Sequence, residues 1–150
     1  MKKLIVVLLV SLFAANLAQA AKPNYTSTKP VSDADWDTFL NAISQVETHG
    51  RTNVKVLDTN NKHSYGCLQI QNLYLKDSGL NYTLEDLYNK NIAFKVARAY
   101  LTRWGRAYER RTGKVATYEV LARIHNGGPR GYEKDATVKY WNKVKAVLDK

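Results

Sequence analysis

One cysteine, Cys67, is all the thiol chemistry this sequence contains. A chain so equipped forms no internal disulfide, so the burial of apolar side chains must hold it together. The cysteine sits in the apolar run "YGCLQI", residues 65–70, and reads as a buried, inert thiol rather than a nucleophile. The N-terminus reads as an export signal. Lys2 and Lys3 precede an apolar run from Leu4 to Ala15, broken only by Ser11, and Ala18-Gln19-Ala20 is a small-x-small cleavage site. Cleavage after Ala20 predicts a secreted or periplasmic protein. The apolar run is too short to favour a membrane span, so stable membrane insertion is not expected. The remaining length of about 130 residues suffices for one core-stabilised domain.

Residues 1–20 are therefore read as the signal, 21–30 as a flexible polar leader with two prolines, and 31–150 as the folded domain. No repeat or low-complexity tract interrupts it. Ser32 opens the first helix with Asp35 as its capping pair. Trp36, Phe39, Leu40, Ile43 and Val46 share one face at helical period, and His49-Gly50 ends the helix. Residues 51–65 change character: brief alternation in "NVKVLD", then turn residues in "TNNK", predict a small hairpin or irregular lobe. "LQIQNLYLKDSG" reads as a short helix stopped by Gly79, and Thr83 with Asp86 caps another. The longest helix spans 91–111, with Ile92, Val96, Tyr100, Leu101, Trp104 and Tyr108 inward and Gly113 as its stop. A helix from Thr117 to His125 is broken by Gly127-Gly128-Pro129. The last, Thr137 to Leu148, buries Tyr140, Trp141, Val144, Val147 and Leu148. The fold class is mainly α (α+β), a helical domain with one small β element flanking a cleft.

The formal charge is +10, and about +8 once a signal with two lysines and no acid is removed. Such a balance suits an anionic partner: nucleic acid, a membrane surface or a cell-wall polymer. Export disfavours nucleic acid, and the basic residues are spread along the chain without an aromatic-basic RNA motif. His49, His63 and His125 lack ligand spacing and no HExxH occurs, so neither a metal nor another cofactor is expected.

Glu47 is out of place. At about 100° per residue, Leu40, Ile43 and Glu47 fall on one side of the first helix. A carboxyl group in an apolar stripe holds its proton longer, and near neutral pH it can act as a general acid. The alternative is a side chain that leans into water from the helix end. Glycoside cleavage usually needs a second carboxylate across the scissile bond. Asp58, eleven residues on in the turn-rich lobe, can stay solvated there, the opposite environment. An ordinary turn residue is the other reading of it. Ser64 and Gly66 would let a ligand approach the backbone, and Gln69 could donate into a cleft.

Together, "SQVETHGR", "YGCLQIQNLYLKD", "ARIHNGGPRGY" and "TVKYWNKV" resemble the invertebrate-type (destabilase-like) lysozymes over residues 36–148. The carriers are Val46-Glu47, Gly66 to Ile70 with Tyr74 and Asp77, and Ala122 to Pro129 with Tyr140 to Val144. The last block is the most specific. More distantly the chain is similar to goose-type lysozymes and soluble lytic transglycosylases. The resemblance implies hydrolysis of the β-1,4 bond between N-acetylmuramic acid and N-acetylglucosamine in peptidoglycan. It puts the general acid at Glu47 and the second carboxylate at Asp58. The family's aspartate falls one residue nearer the Gly-x-x-Gln-Ile segment, so that match takes a one-residue shift. Its usual members are also cysteine-rich, unlike this chain.

On this reading His125 and Asn126 reach the cleft, Gly127 and Gly128 allow a tight turn beside the sugar, and Pro129 stops the helix. His125 could equally be a structural helix-end residue. Tyr74 could stack on a sugar or pack in the core. Two alternatives stand beside the muramidase. One is a lytic transglycosylase that cuts the same bond to 1,6-anhydro products. The other is a catalytically inactive wall-binding protein. An inhibitor or immunity protein is a conceivable partner that the sequence does not identify.

Overall fold

The computed structural model describes residues 31–150. The proposed signal and leader lie outside the described residues. Five helices and one hairpin follow in order: α1 Trp36–Thr48, β1 Lys55–Leu57, β2 His63–Tyr65, α2 Asn72–Ser78, α3 Lys90–Thr112, α4 Tyr118–Gly127 and α5 Ala136–Leu148. Short 3-10 turns stand at Glu85–Tyr88 and Gly131–Glu133. The mainly α class with a small β element is the one expected.

The helices end where the sequence provides stops. His49 and Gly50 turn left-handed after α1 (φ 55° and 78°), and the Gly50 N–H donates to Ser44 O at 3.1 Å. Gly79 and Gly113 close α2 and α3 in the same way. Gly128, after α4, has φ 82° and ψ −171°, a region open to glycine almost alone. Thr117 caps α4 by accepting from the Val120 N–H, and Asn89 caps α3. Thr83 and Asp86 bond reciprocally across the start of the first 3-10 turn.

Two helix starts differ from expectation. Ser32 donates to Asp35 Oδ2 at 2.5 Å, and the Asp35 N–H donates to Ser32 O at 3.1 Å. The pair closes a turn of its own, and α1 begins only at Trp36. Likewise α2 begins at Asn72, not Leu68. Gln69 is left-handed (φ 49°), and Tyr65 and Ile70 exchange both backbone hydrogen bonds at 3.0 Å in a tight reversal. The inner face of α3 also differs in detail: Ala93, Ala97 and Gly105 are buried, while Ile92, Trp104 and Tyr108 are only partly so.

α1 packs on α5 and α3, and α4 packs on α3 and α5. Phe39, Leu40, Ile43, Leu68, Leu87, Leu101, Ile124 and Val144 between them are fully buried. Truncating such a side chain to alanine costs about 2–5 kcal/mol, so this core does what disulfides cannot. Cys67 lies within it, 0 % exposed. Gly66 anchors the hairpin to the rest: a Cβ there would meet Leu87 O at 2.1 Å, and its φ is +70°.

Candidate active site

α1 ends pointing its last turn at the seam between α4 and α5. Glu47 sits on that turn with one-fifth of its side chain exposed. Of the two outcomes open to it, the structure is nearer the first: the side chain is mostly buried and opens on one side. The Tyr140 hydroxyl, from α5, donates to Glu47 Oε1 at 2.7 Å. Burial pushes the Glu47 carboxyl above the usual carboxylate range. The Tyr140 hydrogen bond opposes this, the charge of Asp58 adds to it, and Lys143 opposes it more weakly.

His125 closes α4 with its side chain only 4 % exposed, Nε2 lying 3.7 Å from Glu47 Oε1. Burial lowers its pKa to about 4. The imidazole is therefore neutral at physiological pH, and this approach is not an ion pair there. His125 Nδ1 lies 2.9 Å from the Tyr74 hydroxyl. The Tyr74 ring stacks on Tyr100 at 3.5 Å between centroids. Glu47 thus stands against an aromatic and imidazole wall built from α2, α3, α4 and α5.

Asp58 follows β1 and is held differently. Its N–H donates to Lys62 O at 2.9 Å, closing the hairpin turn. Ser64 Oγ donates to Asp58 Oδ2, and Gln71 Nε2 donates to the same oxygen at 2.7 Å. Asn60 Nδ2 in turn donates to Gln71 Oε1 at 3.2 Å, fixing the amide.

Between the two carboxyl groups runs an open groove of about 700 Å³. It brings together Glu47, Asp58, Ser64, Gln69, Tyr74, His125, Asn126 and Gly127. Gly66 does not line it; the backbone that approaches Gly66 belongs to Leu87. Ser64 is buried, 3 % exposed, with its hydroxyl turned to Asp58. The Gln69 amide donates to Gly66 O at 2.8 Å. A Cβ on Gly127 would meet Thr137 Cγ2 at 2.7 Å, so this glycine lets α5 pack closely. Asp77, Tyr100, Val56 and Leu73 also line the groove. Gln71 and the Tyr140 hydroxyl escaped the sequence reading as polar partners. Neither carries a local signal, and Tyr140 is ninety-three residues from Glu47 in sequence. Among the described residues no group of three His, Cys, Asp or Glu side chains is placed to hold a metal. No described helix is long and apolar enough to cross a membrane.

No family model matches the chain. A lysozyme of Ostrea edulis is 35 % identical to it over 117 residues, covering 77 % of this chain and 82 % of that one. The chain belongs to the invertebrate-type lysozyme family. The lysozyme fold extends the match to solved structures. The Tapes japonica lysozyme superposes with a TM-score of 0.63 at 26 % identity, over 71 % of this chain and 85 % of that one. The Meretrix lusoria lysozyme, in a complex with Aeromonas hydrophila PliI, superposes with a TM-score of 0.62 at 28 % identity, over 77 % and 89 %. As a lysozyme by family the chain is a glycoside hydrolase of the muramidase type.

Proposed function

We propose that this lysozyme cleaves the β-1,4 bond between N-acetylmuramic acid and N-acetylglucosamine in peptidoglycan with Glu47 as general acid and Asp58 as the second carboxylate. The observation that carries the assignment is the pairing of unlike environments across one groove: Glu47 desolvated with a raised pKa, Asp58 among polar donors.

The geometry divides the work between oxygens. Tyr140 occupies Glu47 Oε1, which leaves Oε2 to carry the proton given to the glycosidic oxygen. Both donors to Asp58 converge on Oδ2, which leaves Oδ1 to meet the sugar carbon as its positive charge develops. Attack there would form a glycosyl-enzyme intermediate. Water, activated by the now ionised Glu47, would release it with retention. Asn126 and the Gly127-Gly128 bend form the floor along which the sugar lies, and neutral His125 holds the Glu47 wall without competing for its proton.

Residues 31–150 are the catalytic domain in this reading, and residues 1–20 are the cleaved signal that delivers it outside the cytoplasm. A net charge of about +8 after loss of the signal's two lysines supports attraction to an anionic wall. An inhibitor protein is a further class of partner, supported by the inhibitor complex of the Meretrix lusoria enzyme.

Mass spectrometry of digested, purified peptidoglycan tests the reaction. Muropeptides with a free reducing N-acetylmuramic acid are expected. Products ending in 1,6-anhydro sugar would make the protein a lytic transglycosylase. Sedimentation with the wall and no released fragment would make it a binding protein.

A further inference from the structure

We propose that a second pocket, beside the groove on its Asp58 side, receives the acidic peptide that peptidoglycan carries on its muramic acid residues. This rests on the muramidase reading and names the part of the substrate that a sugar groove alone leaves unaccommodated. The pocket has a volume of about 480 Å³ and is lined by Lys62, His63, Tyr65, Asn72, Leu73, Lys76 and Leu84. Leu73, 62 % exposed, lines both this pocket and the groove. Leu73 is thus the boundary that the groove and the pocket share.

The chemistry of the lining favours an anionic, partly apolar strand. Lys62 and Lys76 stand on the rim, from the hairpin turn and from α2, and the lining contains no acid. Asp77, next to Lys76 in sequence, lines the groove instead. Tyr65, 7 % exposed, forms an apolar floor with Leu73 and Leu84. Lys55 Nζ lies 5.1 Å from the centre of the Tyr65 ring and adds positive field behind it. The stem peptide of peptidoglycan alternates small apolar residues with carboxylates and leaves the sugar through a lactyl ether. The methyl groups suit the tyrosine and leucine floor, and the carboxylates suit the lysine rim. A stripped glycan keeps only the lactyl carboxylate and the small methyl groups carried on the sugar itself.

The test compares peptide-bearing glycan strands with the same strands stripped of peptide by an amidase. In a Lys62→Gln/Lys76→Gln variant, KM on the peptide-bearing strands should rise about fivefold, as two exposed ion pairs permit. On stripped strands KM and kcat should stay within about twofold of wild type. Equal losses on both substrates, or on neither, would overturn the pocket. A direct measurement keeps the inference separate from the enzymatic reading. Free Ala-γ-Glu-diaminopimelate, titrated into 15N-labelled full-length protein, should shift the amides of His63, Leu73 and Lys76 and leave those of Glu47 and Asn126 in place. If those shifts are absent the pocket is excluded, even in an active enzyme. If they are present in a protein inactive on both strands, the pocket stands and the muramidase reading falls.

Discussion

The two walls of the groove hold the same functional group by opposite means. On the helical wall Glu47 is backed by the packed rings of His125 and Tyr140, and burial is the largest influence on its carboxyl. On the hairpin wall Asp58 follows a strand whose three residues are all exposed, and it depends on a chain of hydrogen bonds from Asn60 through Gln71, joined by Ser64. A carboxyl group raised by desolvation is costly to ionise and needs a rigid, dry surround to stay that way. A carboxylate held by donors can stand on a light, two-stranded element, provided the donors are positioned. The helical wall is thus fixed by the core, and the hairpin wall by a handful of polar contacts that open more easily.

The largest effect expected is from Glu47→Gln, which should lower kcat by about 10²- to 10⁴-fold, the range for a general acid, with an unchanged circular dichroism spectrum. The same variant should also reveal the cost of that acid. Because the folded state raises the Glu47 pKa, the unfolded chain ionises first. Wild-type stability therefore falls as pH rises from the unfolded value through the raised one. Thermal melts at pH 5 and pH 8 should show Glu47→Gln gaining on wild type at the higher pH, and a gap that stays constant would mean that burial does not govern this wall. Asp58→Asn should cost about 10²-fold in kcat, the scale of removing one group that meets developing charge. If its steady-state rate stays near wild type, the hairpin wall has no chemical part and the pairing dissolves into a single acid.

A smaller effect separates position from chemistry. Gln71→Ala removes one of two donors to Asp58 and the link to Asn60. It should lower kcat about fivefold, the worth of roughly 1 kcal/mol of hydrogen bonding. Gln71→Glu would set a like charge against Asp58 and should do worse, and equality of the two would break the positioning argument. Smallest in rate, but sharpest in sign, is Tyr140→Phe. Its hydroxyl favours the ionised form of Glu47, so removing it raises that pKa further. The alkaline limb of the kcat/KM profile should move to higher pH, with about a two- to threefold loss at the optimum. A limb that moves to lower pH, or that stays put, would separate Tyr140 from the proton on Glu47.

The helical wall was the more legible in sequence. Periodicity alone put Glu47 in line with Leu40 and Ile43, because one helical face is a local property of the chain. The glycine stops at 50, 79, 113 and 128 were legible for the same reason: a left-handed stop is a single-residue requirement. The misjudged helix starts at Ser32 and Leu68 share a cause. A serine that bonds its neighbouring aspartate side chain no longer caps a helix, and a left-handed glutamine at 69 follows from the reversal that pairs Tyr65 with Ile70. Gly66 was read as a place where a ligand approaches the backbone; in the fold the Leu87 carbonyl takes that place and Gly66 lies outside the groove. The polar settings of the two carboxyl groups were hidden for a further reason. Tyr140 and Gln71 reach them through tertiary contacts that no spacing encodes.

Cys67 carries a final consequence. Its sulfur is enclosed and its thiol pKa is pushed up by that enclosure, so thiolate is scarce and exchange with small thiols is blocked. Dithiothreitol and glutathione have nothing to cut and little to attack. The fold therefore asks for no isomerase and no oxidant, and a reducing medium leaves its architecture as it is.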